Sequence, residues 1–381
     1  MSSRTITETP ARGIPPVVLN AGLVSYELVR SMGQGHHGEL LLTRQRYLQG
    51  PGGYTVLKRL NRVVRQEDYQ RIVEEARLGS QLRHPNILSV QWLGGSPAEP
   101  LLLVEYLEGQ PLGEVMRLAA RAGRGVSEAF ACHVTAEVAE ALAYAHAFND
   151  DKGRPLGIVH RHVSPQGILL GRNGEVKLMD FGAAWSRLEG RISTEGDSDL
   201  ANLAYSSPER ALLDPLDGRS DLFSLGLVLL RLLTGRHLLD ADARHEAEIL
   251  NRQLRAREDY PGSGRVPGLE EMSPTRTAEL MKRLRQLSPA HVEEATRPLS
   301  EPLRSLLQRV LAPGREDRPA SGTELARVLR DHLWNSGSRY GRAELAAEVS
   351  ALTAAGLEDL DEPSTAPRRA RSRAEEPSRE S

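Results

Sequence analysis

The stretch His160–Gly182, HRHVSPQGILLGRNGEVKLMDFG, decides the fold. Its apolar residues fall in two short runs, within 158–170 and 175–179, on either side of the polar segment GRNG, and they read as two short strands around a loop. Ionisable residues crowd both ends of that hairpin: His160, Arg161 and His162 before it, Asp180 after it.

Upstream, short apolar runs at 26–32, 38–45, 54–60, 88–94 and 101–107 are separated by Gly, Pro and polar clusters, which predicts a strand-rich segment. One helical pattern, 67–82, interrupts it, with Ile72, Ala76 and Leu78 near helical spacing. After Gly109 helical patterns dominate, at 127–148, 221–235, 243–257, 275–287, 300–312 and 320–334. A small sheet lobe followed by a larger helical lobe is the expected α+β architecture. Residues 1–23, with Pro10, Pro15 and Pro16 among small polar residues, read as a flexible leader. Residues 335–360 read as a possible extra helix and 361–381, rich in Pro, Ser, Arg and Glu, as a disordered tail.

Composition narrows the function. The 381 residues carry 49 basic and 51 acidic side chains, a net charge of −2, so no electrostatic case exists for nucleic acid or an anionic membrane surface. The most apolar stretch, Leu222–Leu233, is only about 12 residues long and includes Arg231, short of the roughly 20 that span a bilayer. The N-terminus has no apolar run behind its charges, which argues against a secretory signal. With a single cysteine, Cys132, no intrachain disulfide is available, and a cytoplasmic location is the expectation. Only four of the 49 basic residues are lysines, Lys58, Lys152, Lys177 and Lys282, so each surviving lysine asks for a reason.

Two features carry chemistry. MGQGHHGELLL places Gly33, Gly35 and Gly38 between two predicted strands, where glycines let backbone approach phosphate closely; a dinucleotide fold would put the same pattern between a strand and a helix. Twenty residues after Gly38, Lys58 ends the strand YTVLKRL and offers a compact point charge that arginine's planar fork does not imitate. Glu75, on the following helix, is its candidate partner.

In this order the residues resemble the protein-kinase family, over about 24–334, with an N-lobe at 24–107 and a C-lobe at 108–334. The series comprises the Gly-rich loop, Lys58, Glu75, HPNI at His84–Ile87, the hinge-like LLLVEYLEG ending at Gly109, HRHVSPQGILL, DFG at Asp180–Gly182, SPE at Ser207–Glu209, SDLFSLG with Asp221, and Arg318, which would pair with Glu209. The wording of the catalytic loop is similar to bacterial Ser/Thr kinases. The resemblance implies a nucleotide site of Gly33, Gly35, Gly38, Lys58, Glu75, Glu105, Leu107, Leu169 and Asp180, with ATP as cofactor and Asp180 as magnesium ligand.

The catalytic loop departs from that pattern. Active members carry HRDLxxxN, in which the Asp accepts the substrate hydroxyl's proton and the Asn holds magnesium. Here those positions are His162 and Gly167. Histidine is neutral or cationic near pH 7 and glycine ligates nothing. The family's Gly-Thr brace is Ala201–Asn202, and the alanine over the adenine is Val56. Arg161 survives, with Ser193, Thr194 and Ser198 in the loop it would read. The resemblance therefore implies a pseudokinase: an ATP-binding fold with weakened magnesium binding and phosphotransfer lost or strongly reduced, acting on protein partners such as an active kinase. The alternative is an active Ser/Thr kinase with an atypical catalytic loop. The long region before 300–312 is the expected partner-docking surface, removable over 262–296 without unfolding.

Overall fold

The computed structural model describes residues 16–35, 38–59, 73, 76–96, 99–181, 204–239 and 274–361. The N-terminal lobe is a six-stranded antiparallel sheet in the order β1-β2-β3-β4-β6-β5. Its strands are β1 (Val17–Ala21), β2 (Val24–Gly35), β3 (Gly38–Tyr47), β4 (Gly50–Arg59), β5 (Val90–Ser96) and β6 (Glu99–Glu105). Register puts Leu41 opposite Leu57 and Leu57 opposite Leu103, so alternate residues of three central strands stack into one apolar cluster with Leu19, Tyr26 and Leu101. Residues 76–81 are helical, and Leu78 and Leu82 are buried.

The leader expected over 1–23 ends too late. Val17–Ala21 pairs with β2, Leu19 is buried, and the Leu28 N–H donates to the Pro16 carbonyl at 2.8 Å. Five residues beside two prolines are too short a run to separate from loop by pattern. Residues 1–15 lie outside the described residues, as do 362–381, where the tail was expected.

Below the hinge, a second antiparallel sheet joins β7 (Gly109–Pro111), β8 (Ile168–Gly171) and β9 (Val176–Leu178). The helices are α1 (Leu112–Arg121), α2 (Glu128–His146), α3 (Pro208–Leu212), α4 (Gly218–Thr234), α5 (Pro274–Arg285), α6 (Pro289–Thr296), α7 (Glu301–Val310), α8 (Gly322–Asn335) and α9 (Arg342–Asp361). α2 is apolar nearly all round and therefore lies inside the lobe, packed against α4, α8 and β9. Ser127 caps it by accepting the Phe130 N–H at 3.0 Å. α4 begins at Asp217, whose side chain accepts the Arg219 N–H, and stops at Gly235 in the left-handed region.

The docking region turns out to be structural in part. Leu284 of α5 is buried with Ala211 and Leu239, and Val292 and Thr296 of α6 are buried as well. Removing 262–296 would open the core, so the expectation that the fold survives that deletion is corrected. The helix expected over 243–257 lies outside the described residues.

Candidate active site

The Gly-rich hairpin is built by β2 and β3, with Gly35 opposite Gly38. Gly33 and Gly38 have φ of 102° and 151°, backbone that side-chain-bearing residues rarely adopt. Its base is tied by side chains: Gly33 N–H donates to the Ser31 hydroxyl, Ser31 donates to Glu39, and Arg59 pairs with Glu39 across β3–β4. Lys58 sits half-buried on β4, opposite Leu40 and Leu102, two positions from the buried Val56. Val56 is opposite Val104, the residue before Glu105. Glu105, Leu107 and Leu169 are half-buried where β6, the hinge and β8 meet. Glu75, Gly182, Ser193, Thr194, Ser198, Ala201 and Asn202 lie outside the described residues.

The catalytic-loop backbone is held from beneath by Asp221, near the N-terminus of α4. Its carboxylate accepts the N–H of His160 at 2.7 Å, the N–H of Arg161 at 2.8 Å and a hydrogen bond with His146 Nε2 at 2.8 Å. Burial alone would raise the Asp221 pKa; the His146 and His160 interactions outweigh it and hold the carboxyl below the usual range. Arg161 takes φ 66°, and the Arg210 guanidinium donates to its carbonyl.

His160 fixes the next link. Its Nδ1 accepts the His162 N–H at 3.2 Å, so Nε2 carries the proton and donates to the Met179 carbonyl at 2.8 Å. Burial holds this imidazole below its ordinary range despite the Asp221 charge, and the ring packs edge-on against Phe181 at 4.6 Å. His162 and Asp180 are thereby placed at the two ends of the β8–β9 hairpin, Asp180 exposed with φ 62°.

Gly167 N–H donates to the Ser164 carbonyl at 3.0 Å, and its own carbonyl accepts Met179 N–H at 2.9 Å. A Cβ built there would lie 3.3 Å from the His162 carbonyl, so the turn keeps the course a side chain would need but presents no donor. The residues thus fit a nucleotide triphosphate through the glycine hairpin and Lys58. For magnesium they offer Asp180 and, at the asparagine position, nothing. Magnesium, where bound, would supply charge neutralisation beside Asp180.

Lower down, Arg318 is buried and forks onto Glu209 at 2.7 and 2.9 Å, with its guanidinium 4.7 Å from the centre of the Phe223 ring. That pair was legible in the sequence. His146, Arg210 and the Lys177–Glu105 contact at 3.0 Å were not; the scarcity of lysine was the signal that pointed at Lys177.

The protein kinase domain family matches residues 26–334. Among relatives, the tyrosine-protein kinase MasK of Myxococcus xanthus is 30% identical over 338 residues, covering 84% of this chain and 46% of that protein. The serine/threonine-protein kinase PknJ of Mycobacterium tuberculosis is 33% identical over 258 residues, covering 66% and 41%. PrkC of Bacillus subtilis, also a serine/threonine-protein kinase, is 31% identical over 218 residues, covering 57% and 32%. This chain spans less than half the length of each. The crystal structure of a mutant PknI kinase domain from Mycobacterium tuberculosis shares the fold, with a TM-score of 0.50 at 22% identity over 80% of this chain and 94% of that one. Sheet lobe, helical lobe, Gly-rich hairpin and Asp221-anchored loop agree with the match: the chain belongs to the protein kinase family.

Proposed function

We propose that this kinase domain binds ATP and has lost, or nearly lost, phosphotransfer, acting as a regulatory or scaffolding module in bacterial signalling. The observation that carries the reading is the pair His162 and Gly167 on a loop whose backbone is braced at His160, Arg161, His162 and Gly167. Groups that only shape the loop are kept, and the two that act on substrate hydroxyl and metal are replaced. Gly33, Gly35, Gly38, Lys58 and Asp180, with the hinge at Glu105 and Leu107 and the floor at Leu169, supply the nucleotide half. Only Asp180 supports magnesium, so metal contributes less than in a complete site.

An enzyme without its base acts by contact, and the partner we infer is another protein, an active kinase first among candidates. The single cysteine, buried at Cys132 and with its thiol pushed up to about 12 by burial, suits a reducing cytoplasm. The alternative, a working Ser/Thr kinase, draws on the intact bracing, since phosphoryl transfer is mostly positioning and electrostatics. Thermal-shift with ATP, with and without magnesium, followed by radiolabelled transfer to a generic basic substrate, separates the readings. A melting shift without transfer is expected. Robust turnover that disappears in Lys58→Met would hand the case to the active kinase.

A further inference from the structure

Helix α9 lies beyond the kinase-domain match, which ends at residue 334, yet it is built into the C-lobe. Leu345 and Leu352 are buried in the main core, and Val349 packs on it. At Gly356 an added Cβ would fall 2.6 Å from the Leu118 carbonyl, so α9 crosses α1 at near-backbone contact. Polar groups fix the docking. The Glu348 carboxylate accepts the Ser127 N–H and hydroxyl, each at 2.7 Å, and the Tyr340 hydroxyl at 2.8 Å. Ser127 caps α2, so this carboxylate sits where the helix's unpaired N–H groups favour an anion.

The N-terminal end of α9 grips a different element. Arg342 pairs with Glu175 at 2.8 Å, and Gly174, at φ 76°, lies so close that a Cβ would be 1.9 Å from the Arg342 carbonyl. No other residue type fits there without a backbone shift. Gly174 and Glu175 form the turn between β8 and β9, and that turn is one step from the hinge. Gly171 pairs with Gly109, the Arg172 N–H donates to the Glu108 carbonyl at 2.7 Å, and the Gly171 N–H donates to the Glu175 carbonyl at 2.8 Å. α1, the other element under α9, starts at Leu112 immediately after β7. Both contacts of α9 therefore bear on elements next to the hinge: α1, which follows it in the chain, and the β8–β9 turn, whose strand β8 pairs with β7. The β7–β8–β9 sheet has strands of only three or four residues, too small to hold its own geometry.

We propose that α9 is a strap that holds the interlobe hinge, residues 105–111, from behind, and that its docking sets how firmly the pocket closes on nucleotide. The second clause rests on the ATP-binding reading above; the first does not. In the docked state Glu175 and Gly174 cannot move without Arg342, so the hinge-side strand β8 and its partner β7 are kept in register. Undocking releases the turn, and with it the hydrogen bond from the Arg172 N–H to the Glu108 carbonyl and the pairing of Gly171 with Gly109.

Hydrogen exchange on the full chain without nucleotide tests the strap. Arg342→Ala combined with Glu348→Gln removes the polar anchors, and Leu352→Ala is a second route to undocking. Each should speed exchange at amides 106–110 and 168–175 roughly tenfold, the scale of losing a hydrogen bond to a charged group, with β2 and β3 unchanged. His332→Ala, which breaks the α8–α2 contact with Glu128, should leave hinge exchange as in the wild type. A fluorescent ATP analogue should bind the undocked variants several-fold more weakly. If α9 opens in these variants and hinge exchange does not change, the strap is wrong. Hinge opening together with no analogue binding by the wild type supports the strap and removes the nucleotide reading alone.

Discussion

Lys177 on β9 forms an ion pair with Glu105, the last residue of β6, at 3.0 Å, and so ties the C-lobe hairpin to the start of the hinge. Glu105 also accepts the Ser89 N–H at 3.2 Å, while its own N–H donates to the Ser89 carbonyl. The lysine side chain is 12% exposed and the glutamate 29%, so solvent screening is partial. In a chain with only four lysines, this one meets its partner with a compact point charge at a mostly buried position.

Lys177→Met should therefore cost about 1 kcal/mol, lowering the melting temperature by about 2–3 °C. Glu105→Gln should cost a similar amount, and the double variant less than the sum. A double-mutant cycle by chemical denaturation reads this, and strict additivity would contradict a direct pair.

Arg318 and Glu209 are buried deeper, and the penalty for separating them is larger. Burial would raise the Glu209 carboxyl, but the Arg318 fork and the Ser220 hydroxyl at 2.6 Å hold it below its usual range. Its ionised form is thus favoured in the fold, and that stabilisation is present above the ordinary carboxylate pKa and lost as pH falls below it. Arg318→Met leaves the carboxylate uncompensated and should cost about 3–5 kcal/mol, measured by urea unfolding at pH 7. A loss under about 1 kcal/mol would show that the pair is dispensable.

His237 gives the fold a second acid sensitivity. Its Nδ1 accepts the Leu239 N–H at 3.2 Å and its ring stands edge-on to Tyr205 at 4.9 Å. Burial, aided by the Arg231 charge, pushes its pKa down to about 3. The neutral form is favoured in the fold, so stability is full above about pH 6.5 and falls as pH drops toward 3. At pH 5 this costs roughly 2 kcal/mol relative to pH 7. His237→Asn keeps an acceptor for Leu239 but does not titrate, so its stability should fall less steeply between pH 7 and 5; an unchanged slope would exonerate His237.

Much of this was readable before the structure because the deciding residues are local. GxGxxG, Lys58, DFG and Glu209 with Arg318 each announce a geometry through residue type and spacing. β1 was not readable, since five residues pairing with a neighbour carry no period of their own. α1 carried a usable signal, with Leu112, Val115, Leu118 and Ala119 on one buried stripe, yet its ten residues merge with the hinge pattern. The grip of α9 on Gly174 joins positions 168 apart in the chain, and no local pattern encodes such a contact.

Restoring the two replaced groups tests the catalytic reading. An asparagine at 167 needs the His162 carbonyl, 3.3 Å from the new Cβ, to give by a few tenths of an ångström. Loss of a general base costs about 10²- to 10⁴-fold. The wild type should show no transfer above background, and His162→Asp with Gly167→Asn should raise it, Val56 and Asn202 limiting the gain. Radiolabelled transfer that the double change lowers would argue that His162 serves the reaction.

Nucleotide binding should depend on Lys58 more than on magnesium. Of the family's two magnesium-ligand positions, this chain keeps a ligating side chain only at Asp180, and magnesium demands near-ideal octahedral oxygen coordination, so a site with one protein carboxylate should gain little from the ion. The triphosphate's charge must be met by the Lys58 ammonium and by N–H groups of the hairpin from Gly33 to Gly38, in which charge-assisted hydrogen bonds need no metal. Such bonds are worth about 1.5–3 kcal/mol each, so Lys58→Ala should weaken ATP roughly 10- to 100-fold, while EDTA should weaken it far less. Calorimetry on wild type and variant, with magnesium or EDTA, reads both effects. Strict magnesium dependence would mean that Asp180 and the hairpin build a complete metal site after all, and the active-kinase reading would regain its footing.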